Sequence, residues 1–343
     1  MNEKLTSRVG RVVAEATTDF LTRDVPAPKA DEVVIRIKAS ALCGSDLHIF
    51  KAKHPSVPLP ATVGHEFAGD ITAMGKDVTG LAIGQRVTAE PCEACGVCDA
   101  CRHGEYGSCD QLSFIYRRGD GAMADYITVK AASVFPLPEQ LSYEAGALVE
   151  PLAVAVHAVR RADVRMGETV LVIGAGAIGL LVAALCKRSG AAQVIVTDHA
   201  AFRLEMAAKL GATRTVNGRE EDLETVVRAL THGKGVDKAF ECVGREETFV
   251  AAMSLIRKKG LATVVGIFEQ KEITIPVMRI VNNEIRIQGS QGYCWDFPIA
   301  LQMATEIGLE QLVTHTFALD DLQLALETAS DRTQNTVKVV VKP

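Results

Sequence analysis

Val170-Leu-Val-Ile-Gly-Ala-Gly-Ala-Ile-Gly179 sets glycines at 174, 176 and 179 where a buried apolar run passes into a helical one, and its reading decides the fold. Gly174 permits a tight turn, Gly176 lets the backbone approach a pyrophosphate, and Gly179 allows close packing of helix on strand, with phosphates at the positive end of the helix dipole. A further apolar run ends in Asp198, where a carboxylate accepts hydrogen bonds from both ribose hydroxyls and repels a 2′-phosphate. A dinucleotide loop is expected, with NAD favoured over NADP. His199 and Arg203 lie just beyond and are the alternative, as groups that could meet a 2′-phosphate, while Arg203 is equally a candidate for the adenine face or a solvated charge.

Outward from this loop the chain alternates apolar strands and amphipathic helices, the rhythm of a parallel sheet. Strands are expected at Val170–Gly174, Gln193–Asp198, Arg214–Asn217, Val236–Val243, Leu261–Ile267 and Ile285–Ser290, with helices such as Phe202–Leu210 and Thr248–Lys258 between. Six strands make two mononucleotide-binding halves of a doubly wound α/β domain. Upstream, Val33, Ile35 and Ile37 alternate with wetter positions and Ala124–Val129 reads as a second strand, so the first third is expected to be a compact barrel-like β domain. Leu141–Ala162 has a helical pattern. The tail, with helices at Phe297–Ile307 and Asp320–Ser330 and strands at Leu312–Phe317 and Thr336–Val341, is assigned back to the first domain. The expected domains are 1–153 with 292–343, and 154–291.

The 343 residues are too many for one ordinary core and comfortable for two. A formal charge of −5, spread over both halves, offers no basic stripe for nucleic acid or an anionic membrane. Residues 1–30 carry no signal-peptide core and no later run is long enough to span a bilayer, so a cytoplasmic protein acting on small molecules is expected.

Nine cysteines are distributed unevenly: five fall between Cys92 and Cys109, while Cys43, Cys186, Cys242 and Cys294 stand alone. In a reducing compartment the cluster reads as metal ligands. Cys95-x2-Cys98-x2-Cys101-x7-Cys109, within a lobe of about residues 91–110, supplies the four soft ligands of a closed tetrahedral zinc site, although Cys92 shares the spacing and leaves the register open. A closed site holds no substrate. Chemistry needs a second metal with an open position, for which Cys43 in Cys43-Gly-Ser-Asp-Leu-His48, His65 and Glu66 after Gly64, and Glu150 in Glu150-Pro-Leu-Ala-Val154 are candidates.

Together these motifs resemble the zinc-containing medium-chain dehydrogenases, in particular the group with sorbitol, butanediol and threonine dehydrogenases, and the likeness spans essentially the full chain. The resemblance implies a GroES-like β-rich catalytic domain joined to a Rossmann domain, and two zinc ions per chain. It implies that Cys43 and His65 bind the catalytic zinc, that Glu66 is a ligand or close partner, and that Glu150 ligates the metal or holds its water. It selects Cys95, Cys98, Cys101 and Cys109 as the structural set, leaving Cys92 outside. It makes Ser45 and His48 a proton relay by way of the cofactor ribose, sets Ile178 near the pyrophosphate and Val265-Gly266-Ile267 near the nicotinamide, and implies a dimer or tetramer.

The implied reaction moves a hydride from a secondary alcohol (a polyol, diol, sugar alcohol or sugar acid) to NAD, giving a ketone. Sorbitol dehydrogenases generally carry an arginine where this chain has Gly292 and a tyrosine where it has Ile49, which argues against sorbitol itself. Arg117 and Arg118 are either a binding pair for a substrate carboxylate or phosphate, or a solvated pair. A threonine-type amino-alcohol dehydrogenase and a non-catalytic NAD- and zinc-binding regulator are the rival readings.

Overall fold

Val33, Ile35 and Ile37 are buried and Arg36 between them is exposed, as expected of a half-wet strand, but Val34, expected on the wetter face, is buried as well, so the alternation is clear only at Arg36. The computed structural model describes residues 5–54 and 56–343. These fall into two units, one reaching Glu150 and resuming at Phe297, the other covering Pro151–Asp296.

The first unit begins with the antiparallel pair β1 (Thr6–Ala14) and β2 (Thr17–Asp24), followed by β3 (Glu32–Ala41), helix α1 (Gly44–Phe50), β4 (Ala61–Thr62), β5 (Glu66–Met74) and β6 (Arg86–Ala89). The cysteine-rich stretch forms β7 (Cys92–Glu93), α2 (Asp99–Arg102) and β8 (Ser113–Phe114). Then come β9 (Tyr126–Lys130), β10 (Val134–Pro136) and α3 (Tyr143–Ala147), and α4 (Val149–Ala162) starts at the end of this stretch and belongs to the second unit from Pro151 on. The segment expected as one helical stretch is thus two helices. Ser142 Oγ caps α3 by accepting from Ala145 N at 3.1 Å, and Pro151 sits in the first turn of α4, where a missing N–H costs nothing.

The second unit alternates β11 (Thr169–Ile173), α5 (Ala177–Arg188), β12 (Gln193–Asp198), α6 (Ala201–Leu210), β13 (Arg214–Asn217), α7 (Leu223–Leu230), β14 (Val236–Glu241), α8 (Glu246–Leu255), β15 (Ile256–Val264), α9 (Val277–Asn283) and β16 (Arg286–Gly289). Its six strands are parallel in the order β13-β12-β11-β14-β15-β16, the doubly wound arrangement. Leu171, Ile195, Phe249 and Met253 lie in its core. The helix expected to reach Lys258 stops at Leu255: Ile256 turns extended, with φ −78° and ψ 147°, and pairs with Val236, so β15 starts there rather than at Leu261.

The tail forms α10 (Phe297–Ile307), β17 (Val313–Ala318), α11 (Leu322–Ser330) and β18 (Lys338–Lys342). It completes the first unit: β18 lies between β3 and β17 in a sheet ordered β10-β6-β5-β3-β18-β17, with β9 also on β3, while β2-β1-β4 forms a smaller sheet. Ile35, Phe67 and Ile127 fill one core and Phe50, Met123 and Leu322 another. No helix among the described residues is long and apolar enough to cross a membrane.

Candidate functional site

The end of β3 gathers the mixed ligand set. Ala41 faces Glu66 on β5 and Val340 on β18, so the residues that follow or precede those pairs converge there. Donor atoms of Cys43, His65 and Glu66 all lie within 4.8 Å of one another. Gly64 turns the chain into this cluster with φ +88°, and a Cβ on it would come within 2.8 Å of Met123 N, so no larger residue fits.

Asp46, fully buried in the first turn of α1, joins the two ligand loops. Its carboxylate accepts from Cys43 N at 2.9 Å and from Gly64 N at 2.8 Å, and stands 3.9 Å from His65 Nδ1. Facing Asp46 through Nδ1 leaves the other ring nitrogen of His65 for a metal. Sequence reading missed Asp46; its signal was an acid three residues after Cys43, the spacing of a carboxylate that reaches back to a cap amide.

Lys338 was missed as well. Its Nζ is buried and donates to both oxygens of Glu66 at 2.5 Å and to Leu42 O at 3.1 Å. Burial pushes the Glu66 carboxyl well above its usual range, with Lys338 opposing. Burial also raises the Cys43 thiol, but His65 and Lys338 outweigh it and bring the thiol down to about 7. His65 is driven the other way: burial lowers it, and Cys43 and Asp46 raise it well above the usual imidazole value. A half-buried thiolate with a buried imidazole and carboxylate within one ion's reach suits a zinc ion, whose charge would replace the imidazole proton.

Glu150 is buried at the start of α4 and stays outside the 4.8 Å set, yet its charge acts on His65, Glu66 and Lys338. Ser45 is buried and His48 half-buried, three residues apart on α1 and so on one face of it.

The sulfurs of Cys95, Cys98, Cys101 and Cys109 also lie within 4.8 Å of one another, and buried Cys92 falls outside that set. Amides are aimed at them: Val97 N and Cys98 N donate to Cys95 Sγ at 3.5 and 3.3 Å, and Cys95 N and Gln111 N to Cys109 Sγ at 3.3 Å each. The Val97 and Cys98 amides lower the Cys95 thiol to about 6. Four converging sulfurs fit a closed zinc site.

The glycine loop lies in the other unit. Gly174 takes φ +97°, a Cβ on Gly179 would fall 1.8 Å from Gly174 O, and a Cβ on Gly176 would meet nothing within 4 Å. Two glycines therefore serve packing and one faces open space, as close approach by a phosphate requires. Ile178, partly buried, sits in the first turn of α5. Asp198 ends β12, its carboxylate accepting from Ala175 N at 2.8 Å, His199 N at 2.7 Å and Ala200 N at 3.0 Å. The guanidinium of Arg203 lies 5.6 Å over the Phe202 ring. Val265, Gly266 and Ile267 follow β15; the amides of Val265 and Gly266 bond Glu241 O, and Ile267 is exposed. All of these stand at carboxyl ends of strands beside the switch point between β11 and β14, where open α/β sheets bind ligands.

Comparison with known proteins agrees with both units. The family described as "Alcohol dehydrogenase GroES-like domain" matches residues 29–139 and that described as "Zinc-binding dehydrogenase" matches residues 177–330. A sorbitol dehydrogenase of Bacillus subtilis (strain 168) is 37% identical over 94% of this chain and 93% of its own length. A D-arabitol-phosphate dehydrogenase of Enterococcus avium is 34% identical over 94% and 93%. The crystal structure of a putative zinc-binding dehydrogenase of Sinorhizobium meliloti 1021 bound to NADP is 30% identical, covers 99% of this chain and 100% of its own, and superposes with a TM-score of 0.91. With the zinc-ligand clusters and the parallel sheet, these matches show that the chain is an oxidoreductase belonging to the zinc-dependent medium-chain dehydrogenase family.

Proposed function

We propose that the chain oxidises a secondary hydroxyl of a polyol-type substrate with NAD, using one zinc ion held by Cys43, His65 and Glu66 and a second, structural one held by Cys95, Cys98, Cys101 and Cys109. The convergence of Cys43, His65 and Glu66 within 4.8 Å carries this reading. When bound, zinc supplies Lewis acidity at the reacting oxygen and the nicotinamide accepts the hydride. Glu150 orients the reacting group from beside that cluster. Ser45 Oγ takes the hydroxyl proton and His48, half-buried on the same face of α1, hands it to solvent. Gly174, Gly176, Ile178 and Gly179 hold the pyrophosphate, Arg203 the adenine end, and Val265, Gly266 and Ile267 the nicotinamide end. Asp198 binds the ribose, and its charge supports NAD, since a 2′-phosphate would meet an anion.

Polyol substrates are supported by the relatives, which include a sorbitol and an arabitol-phosphate dehydrogenase. The same reading carries a homo-oligomer in the cytoplasm: β16 is a sheet edge, and Val277, Met278, Val281 and Ile287 beside it are exposed apolar residues that a second copy would cover.

Metal analysis and a panel of polyols, diols and amino alcohols, each with NAD and NADP, test the reading together. Expected are two zincs per chain, faster reduction of NAD than of NADP, and oxidation of polyols over threonine. Two zincs and bound NAD with no turnover across the panel would instead mark a regulator.

A further inference from the structure

The helical turn Ile115–Arg118, beyond the cysteine lobe, sends consecutive side chains in different directions. Tyr116 goes inward: its ring is stacked on Phe114 with centroids 5.6 Å apart and lies 5.4 Å from the ring of His65. The His54 ring stands edge-on to Tyr116 with centroids 6.2 Å apart. An aromatic wall therefore runs from the mixed ligand set to His54.

The two arginines of the turn have different fates. Arg118 makes an ion pair with Glu93 at 2.6 Å. Arg117 is exposed and forms no ion pair among the described residues; its Nη2 donates to Ser56 Oγ at 3.0 Å, a neutral partner. Asp46, the acid whose charge reaches His54, is engaged by the Cys43 and Gly64 amides. Burial, then Arg117 and His48, hold the His54 imidazole below its usual range, and among the charges acting on it Arg117 is the largest. Ser56 N donates to His54 Nδ1 at 3.3 Å, so the guanidinium, the hydroxyl and the imidazole are linked through Ser56, and the guanidinium, the hydroxyl and the other ring nitrogen are donors for an oxyanion.

We propose that Arg117, Ser56 and His54 form an anion subsite at the outer end of the Tyr116 wall, and that the substrate is a secondary alcohol carrying a terminal phosphate or carboxylate. The proposal rests on the alcohol oxidation set out above and narrows its substrate class. The anion is held at Arg117 while the hydroxyl to be oxidised lies against the ligand set on the far side of Tyr116. Arg118, already neutralised by Glu93, contributes little.

The test compares sorbitol, sorbitol 6-phosphate and gluconate as substrates of the zinc-loaded protein with NAD, in the native chain and in Arg117→Met and Arg118→Met. Calorimetric binding of the same compounds without NAD is measured in parallel. At least one anionic compound should exceed sorbitol in kcat/KM by about tenfold or more. That ratio should collapse in Arg117→Met, mostly through KM, and persist in Arg118→Met; which compound leads decides between phosphate and carboxylate. Sorbitol oxidised as well as both anions, or a ratio unmoved by Arg117→Met, overturns the subsite and leaves alcohol oxidation standing. Arg117-dependent binding of an anion without oxidation of any compound keeps the subsite and overturns the oxidation reading. Neither binding nor turnover overturns both.

Discussion

Lys338 holds the Glu66 carboxylate with two 2.5 Å hydrogen bonds in a place neither charge would enter alone. Removing one member of a buried pair leaves the other uncompensated, at about 3–5 kcal/mol. Lys338→Met should therefore destabilise the zinc-free protein by that order in urea unfolding. Zinc should restore most of the loss, because a metal bound by Glu66 supplies the missing positive charge. No restoration would shift the direct ligand to Glu150. Neither Lys338 nor Asp46 was read from the sequence, and the reason is physical. The Lys338–Glu66 contact depends on the register that aligns β18 with β3, which no local pattern carries. A lysine opening the apolar run Lys338-Val-Val-Val341 was its one local sign. The thiolates and glycines were legible because their spacing itself encodes the turn or the metal.

Helix α4 carries Glu150 in its first turn and is pinned farther along by Asp296. Asp296, with no exposed side chain, accepts from Arg160 Nη1 at 2.5 Å and from Cys294 N at 2.8 Å, and lies 2.8 Å from His157 Nδ1. Burial works against its charge, and His157, the Cys294 amide and Arg160 prevail, so its carboxyl is held below the usual range. A depressed carboxylate contributes stability above its unfolded value, near about 4, and loses it as pH falls through the folded value. Asp296→Ala should cost about 2–3 kcal/mol at neutral pH, and the gap from the native chain should narrow below about pH 4. A gap that stays constant under acid would mean that packing, not charge, anchors the helix. Elements of this kind were readable where the period was regular, as at Phe297–Ile307. Boundaries shifted where tertiary pairing overrode propensity, as at Ile256, which left the helical run to pair with Val236.

Across the whole molecule the two ligand clusters belong to one unit but depend on metal differently. Cys43 follows β3, His65 precedes β5 and Glu66 opens it, and the core beneath those strands includes Ile35, Phe67 and Ile127, so the mixed site keeps its frame without an ion. The four-cysteine lobe has no such support. Its helix α2 has no buried residue, Val97 is exposed, and Cys92 and Cys109 are its main buried side chains. Four sulfurs held together without a core need the metal to repay the ordering of their loop. Chelation should therefore raise amide exchange across residues 93–111 while residues 169–198 of the parallel sheet stay protected, with hydrogen exchange by mass spectrometry as the readout. Zinc uptake by the emptied lobe should weaken more steeply as pH drops below about 6, because the Cys95 thiol, lowered to about 6 by the Val97 and Cys98 amides, then regains a proton that zinc must displace in addition to that of Cys101, which burial and Cys98 push up to about 12. Slow exchange at 93–111 after complete removal of zinc would mean that the lobe folds on its hydrogen bonds alone, and that the four-thiolate site is a passenger on a preformed loop.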